Sequence, residues 1–196
     1  MNRFTAIAAA AFALFAPKLA AASTWEIDSG HSVAAFSVRH LMVSNVRGEL
    51  GKVTGTIHLD DKDISRSTVE ATIDATTLST RDEKRDQHLK GADFFDVGHH
   101  PKLTFKSKQV QPAGAGKLKV IGDLTLHGVT REVTLQVDGP AAEVKDPWGN
   151  TKSGASATAR INRKDFGMSW NKSLDAGGVA VADEVAVNIE LELVKK

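Results

Sequence analysis

A strict period-two alternation of apolar and polar residues, repeated in short runs between turn signals, constrains this chain most. Residues 184–194 show it most cleanly: Val185, Val187, Ile189, Leu191 and Leu193 alternate with Glu184, Asn188, Glu190 and Glu192. Residues 32–40 (Ala34, Phe36, Val38), 52–60, 67–76, 102–110, 117–126, 132–138 and 154–162 repeat the pattern, and a short strand at 24–27 precedes them. Side chains alternate across a strand, so each run has one face to bury. All five apolar residues of 184–194 are therefore expected in the interior. Gly30, Asp60-Asp61, Pro112-Ala113-Gly114, Gly139-Pro140, Pro147-Trp148-Gly149-Asn150 and Gly177-Gly178 separate the runs as turns. Many one-faced strands at short spacing predict an all-β antiparallel structure, a sandwich or a barrel, in one domain.

Volume separates those two architectures. Ala34, Ala71, Ala75, Ala155, Ala157 and Ala159 fall at inward positions, with Gly55 and Gly122 in phase beside them. Native interiors are close-packed, so a sandwich lined this way has to draw its sheets unusually close. A barrel of about eight strands is wide enough to hold one ligand, and small inward residues keep that space open.

Two segments interrupt the alternation. Residues 81–90 have helical charge spacing, with Asp82 and Arg85 at i,i+3 and Asp86 and Lys90 at i,i+4, behind a capping-box pattern at Thr80 and Glu83. Leu89 is the main apolar residue of this surface helix, which ends at Gly91 and delivers Phe94-Phe95. If that pair is extended, its rings point opposite ways, one into the scaffold and one into a cavity. Residues 40–50 carry the consecutive apolars Leu41, Met42 and Val43, which suit a turn of helix or a bent strand over an opening.

Residues 1–22 read as a secretory leader: Arg3, an apolar run from Phe4 to Ala16, then Ala20-Ala21-Ala22 before Ser23. The run is short of the ~20 apolar residues a bilayer span needs. The barrel domain is then 23–196, expected in the periplasm. Removing Arg3 and Lys18 from 25 basic residues leaves 23 against 24 acidic ones. Near-neutral charge gives no electrostatic reason to expect nucleic acid or an anionic membrane. The absence of cysteine excludes thiolate metal sites and cysteine nucleophiles.

Further motifs are more specific. Trp25-x-Ile27-Asp28-x-x-His31-Ser32 leads into Phe36-x-Val38-x-His40. Thr80-Arg81-x-x-x-Arg85-Asp86-x-His88-Leu89, Asp93-Phe94-Phe95-Asp96 and Pro101-x-Leu103-x-Phe105 follow. Then come residues 122–131, GDLTLHGVTR, and Ile161-Asn162-Arg163-x-Asp165-Phe166-Gly167. In this order the chain resembles the YceI-like family, polyisoprenoid-binding proteins of the periplasm. The resemblance implies an extended lipocalin-like barrel of about eight strands with one or two short surface helices. It also implies an internal apolar tube for a long isoprenoid or similar amphiphile, and often a homodimer. It carries over no catalytic residue and no cofactor.

The expected ligand-binding set follows from the inward faces and the two interruptions. Phe36, Val38, Phe105 and Leu124 come from strands. Leu41, Met42, Leu89, Phe94 and Phe95 come from the interruptions, and Met168 and Trp170 share a phase near the end. Arg163 and Asp165 read either as a structural pair or as residues at a cavity mouth. Seven histidines raise a metal reading, but no HxH or HExxH pair occurs and no metal is expected. A hydrolase would draw on Ser32 or Ser37 with a histidine and an aspartate, without a G-x-S-x-G elbow to support it. The expected function is a carrier or reservoir for a polyisoprenoid, quinone-like or long-chain lipid. Its rivals are a lipid-modifying isomerase or hydrolase on the same barrel and a stress-related structural protein with a packed interior.

Overall fold

The computed structural model describes residues 22–175 and 177–196, so all of the expected leader except Ala22 lies outside the described residues. The strands in chain order are β1 (Ser23–Ile27), β2 (Val33–His40), β3 (Ser44–Glu49), β4 (Lys52–Leu59), β5 (Thr68–Asp74) and β6 (Lys102–Pro112). After them come β7 (Lys117–Leu126), β8 (Val129–Asp138), β9 (Val144–Lys145), β10 (Thr151–Asn162) and β11 (Val181–Lys195). One α-helix, α1 (Glu83–Lys90), and 3-10 turns at Ile64–Arg66, Ala75–Thr77 and Arg163–Phe166 complete the described elements.

The strands close an eight-row antiparallel barrel in which two rows are composite. β1 and β2 both pair with β11, and are one row interrupted at residues 28–32. β3 pairs with β2 while β4 pairs with β1, so β3 and β4 form the next row, interrupted at Leu50-Gly51. β5, β6, β7 and β8 continue as neighbours, then β10, and β10 returns to β11 over eleven residue pairs. β9 is a two-residue addition on the edge of β10 that also carries β8.

Local chemistry explains the joints. β7 and β8 are joined by His127-Gly128 with φ of 53° and 72°. Two successive positive φ values make the tight hairpin whose twist matches that of its strands. The β2–β3 joint is also tight, with residues 41–43 between the paired His40 and Ser44. Residues 40–50 are therefore a hairpin and a strand; no helical turn forms there. α1 starts later than the capping box predicts. Asp82 is its N-cap, accepting from the Arg85 N–H at 3.0 Å, while the Thr80 hydroxyl is engaged by Asp86 and Arg85 instead. Asp is the stronger N-cap of the two, which agrees with the later start.

The barrel wall spans β5 and β6 only up to Asp74 and Lys102, and residues 75–101 with α1 cover that end. The core cluster gathers there and along the barrel floor: Trp25, Phe36, Leu78, Phe94, Phe95, Phe166 and Leu193 are all buried. Of the five apolar residues expected inside β11, only Leu193 is fully buried; Val185, Val187, Ile189 and Leu191 are half-buried. They point inward but border empty space. Ala75 is likewise not a strand residue but the first of a 3-10 turn.

Candidate ligand-binding site

The interior holds a cavity of about 330 Å³. Its wall is aliphatic: Val185, Val187, Ile189 and Leu191 from β11 lie beside Ile161, Ala159, Ala157 and Ala155 of the paired β10, with Val133, Leu135 and Val137 from β8 next along the wall. These residues lie on the inward phase of alternating strands, so the cavity is a direct product of the period-two pattern.

Nine of the eleven expected ligand-binding residues line this cavity: Phe36, Val38, Leu89, Phe94, Phe95, Phe105, Leu124, Met168 and Trp170. Phe94 and Phe95 both face it, rather than splitting between cavity and scaffold. The segment is not extended. Phe94 N–H donates to Gly91 O, Phe95 N–H to Leu89 O and Asp96 N–H to Gly91 O, which folds the chain back and turns both rings inward. Leu41 and Met42 do not line the cavity. They sit at the β2–β3 tip, 41% and 39% exposed, because the tight hairpin carries them past the rim.

One end of the cavity is polar. His40 pairs with Val181 in the ladder. Arg163 donates to Val181 O at 3.3 Å and to Trp170 O at 2.9 Å. The Trp170 ring stands edge-on to His88 at 5.0 Å and 5.3 Å from Phe94. Arg85 lies one helical turn before His88. His40, Arg85, His88 and Arg163 all border the cavity, and among the described residues no carboxylate does. His88 is oriented by Asp93, with Nε2 at 2.8 Å from the carboxylate. Arg85 spends its bonds on the Thr80 hydroxyl and carbonyl, both neutral acceptors. That end of the cavity carries two guanidiniums and two imidazoles.

Arg163 is buried, 2% exposed, and also donates to Ala182 O at 3.0 Å and to Met168 O. Its carboxylate partner is Asp183, at 3.3 Å, and not the nearby Asp165. Burial pushes the guanidinium down from its ordinary value while Asp183 opposes that. The side chain ties the Met168–Trp170 segment to the start of β11, which positions Met168 and Trp170 over the cavity. The sequence paired Arg163 with Asp165 and left open a structural or a cavity-mouth role; it did not mark Asp183.

The polar cluster that most resembles a metal site lies on the outer face. Asp28, His31 and Glu192 group their ligand atoms there. Lys152 Nζ already sits 2.7 Å from Asp28 and 2.8 Å from Glu192, so an ammonium fills the position a cation would take. The hydrogen bond from Lys152, then those from His31 and the Gly30 N–H, hold the Asp28 carboxyl below the usual carboxylate range. Asp28 and Glu192 raise Lys152 in return.

Comparison with known proteins agrees with this architecture. Residues 25–193 match the YceI-like domain. The UPF0312 protein VPA0850 of Vibrio parahaemolyticus is 38% identical over 158 residues, covering 80% of this chain and 83% of the relative. The UPF0312 protein SAS2572 of Staphylococcus aureus is 34% identical over 170 residues, covering 87% and 96%. Among solved structures, the YCEI protein of Campylobacter jejuni superposes with a TM-score of 0.68 at 28% identity, covering 80% of this chain and 89% of that one. BcnA of Burkholderia cenocepacia shares the fold at a TM-score of 0.71 and 23% identity, over 85% and 98%. A polyisoprenoid-binding domain from Saccharophagus degradans does so at 0.63 and 15%, over 88% and 98%. The cavity-bearing barrel, the match along nearly its whole length and the identity with these relatives together place the chain in the YceI-like domain family.

Proposed function

We propose that this protein holds a polyisoprenoid, quinone-like or other long-chain lipid inside its barrel, as a carrier or reservoir, and does so without catalysis. The observation that carries this reading is the interior cavity of about 330 Å³, aliphatic along its length and polar at one end. Each buried methylene contributes ~0.8 kcal/mol, so a chain along the aliphatic wall binds tightly with few polar contacts. The polar end at His40, Arg85, His88 and Arg163 then sets the orientation, head toward the guanidiniums and tail toward Ala157 and Ile189. The fold shared with the polyisoprenoid-binding domain of S. degradans supports the ligand class.

The same reading includes export through the leader at residues 1–22, a mature periplasmic protein beginning Ser23-Thr24-Trp25, and a homodimer. β1 starting at Ser23 supports a cut immediately before it.

Native mass spectrometry of the purified protein, followed by solvent extraction, tests the ligand. A stoichiometric apolar molecule is expected. A protein that arrives empty and also refuses added prenyl and acyl chains overturns the reading. N-terminal sequencing of exported protein tests the cut, and a start beyond Ile27 contradicts it. Sedimentation equilibrium tests the dimer.

A further inference from the structure

The β2–β3 tip carries two independent costs. Leu41, Met42 and Val43 are 41%, 39% and 74% exposed, a contiguous apolar point on an otherwise polar rim. Leu41 and Met42 also have φ of 49° and 60°. Consecutive left-handed conformations are strained for bulky L-residues and free for glycine, and Asn or Asp tolerates them far better. A turn of the Asn-Gly type serves this hairpin with neither strain nor exposed apolar surface. The fold holds the strained backbone in place: Leu41 N–H donates to Ala180 O at 2.8 Å, and the Arg39 guanidinium donates to Met42 O at 2.8 Å. Strain kept at an exposed site points to a use for the side chains it presents.

The surroundings say what they meet. Arg39 and Arg47 lie on the outer faces of the two strands behind the tip, and Lys172 lies on the loop that packs beside it. The ion pairs among the described residues include none of these three cations. Asp175 is the acidic residue of that loop. The patch is therefore apolar at its point and basic around it. The tip adjoins the cavity, because His40 at its foot and Val46 on β3 both line it.

We propose that the Leu41-Met42-Val43 tip inserts into the surface of an anionic lipid bilayer and presents the polar end of the cavity to it. Three side chains are far too small a patch for a stable protein interface, which takes ~800 Å² on each partner. A bilayer has no such threshold. It accepts small apolar wedges, and adjacent cations add attraction to anionic headgroups. Such contact is weak and reversible, as a protein that picks up and delivers a lipid requires. The proposal rests on the lipid-holding reading, but its test is separate.

The test is flotation of the purified protein with vesicles of phosphatidylcholine containing one quarter phosphatidylglycerol. Parent and variants are prepared identically, so that they share one N-terminus. The parent is expected to float, less so at high salt. Leu41→Ser/Met42→Ser/Val43→Ser is expected to bind vesicles at least fivefold more weakly, with an undiminished melting temperature and the same cavity occupancy by native mass spectrometry. Arg39→Gln/Arg47→Gln is expected to weaken binding and flatten its salt dependence. A parent that stays off the vesicles overturns the proposal, as does a tip variant that floats like the parent. Lipid exchange that needs a protein donor and no vesicle contact assigns the tip to a protein partner, which also overturns it. A loaded cavity without vesicle binding defeats the docking alone, whereas vesicle binding with an empty cavity defeats the carrier reading alone.

Discussion

Arg163 is a full positive charge at 2% exposure, held by the carbonyls of Met168, Trp170, Val181 and Ala182 and by Asp183. Truncation removes the guanidinium from the Met168, Trp170 and Ala182 carbonyls, while Val181 O keeps the Asn171 amide at 2.7 Å; a buried carbonyl without a donor costs ~1–3 kcal/mol. Groups sharing one hydrogen-bond network do not add. Arg163→Ala is expected to destabilise by about 3 kcal/mol in urea unfolding and to raise amide exchange at residues 168–170 and 181–183. Arg163→Lys recovers part of this, since three ammonium donors replace a planar fork of five. Equal exchange in parent and Arg163→Ala is the outcome that removes its positioning role. The outer-face cluster gives a pH prediction. Asp28 titrates lower in the fold than in the unfolded chain, chiefly because Lys152 bonds to it. Its stabilisation is complete above the unfolded carboxylate value of about 3.9 and is lost as pH falls toward the depressed folded value. Lys152, raised in the fold by Asp28 and Glu192, contributes fully below about pH 10.4 and loses that contribution as pH rises through its folded value. Asp28→Asn is expected to flatten the fall in melting temperature between about pH 5 and 2. A parallel fall in both proteins would place acid sensitivity elsewhere.

β11 shows what an element adds to its residues. It pairs with β10 along one edge and with β2 then β1 along the other, so it belongs to the barrel wall for its full length. Its inward residues Val185, Val187, Ile189 and Leu191 line the cavity, and the inward neighbours of Ile189 are Ala34, Ala157, Val187 and Leu191, none of them a cation or a donor. Ile189 lies opposite Ala34 and Ala157, far along the chain from the polar end. Ile189→Asp must either stay ionised in an apolar space or protonate, at a cost of about 3 kcal/mol in unfolding and with loss of lipid retention. Asn188→Asp, one residue away and exposed, is the control and should behave as the parent. An Ile189→Asp protein with the parent's urea midpoint would show that this face is wet. The strands were legible because alternation reports burial directly, and so was the inward phase of β11. How deeply those residues are buried was not, because alternation distinguishes inside from outside but not core from cavity wall. Leu41, Met42 and Val43 misled for a related reason. Three consecutive apolars read as cover for an opening, whereas the register His40 to Ser44 makes them an exposed tip. Phe94-Phe95 misled through an assumed extended backbone that the turn after Gly91 replaces. Arg163 was legible as a structural or cavity-mouth residue, but its partner was not: Asp165 two residues on was the candidate, whereas the fold brings Asp183 and four carbonyls to it.

At the scale of the whole molecule, the small inward residues divide into two kinds. Some are packing devices. A Cβ on Gly122 would stand 2.5 Å from Lys106 O and 2.6 Å from the Phe105 ring, so no larger residue fits beside that strand and ring. Ala75 is fully buried in its turn. Ala71, Ala155, Ala157 and Ala159 instead border the cavity, and there the missing bulk is the space itself. Ala157 sits at the centre of this second kind, 8% exposed, paired with Ile189 on one side and Val137 on the other. Ala157→Trp directs an indole into a void of about 330 Å³. A cavity of ~150 Å³ accepts a benzene ring, so the indole enters without displacing the wall. The variant should fold, melt near the parent and lose retained lipid in native mass spectrometry. In a filled interior the same change overpacks and destabilises by about 1–3 kcal/mol. A folded variant that keeps its lipid in full stoichiometry shows that this wall does not bound the binding site. A strongly destabilised one shows that the space closes in solution. Only a folded and empty barrel matches a wall built from small residues to leave room for a chain.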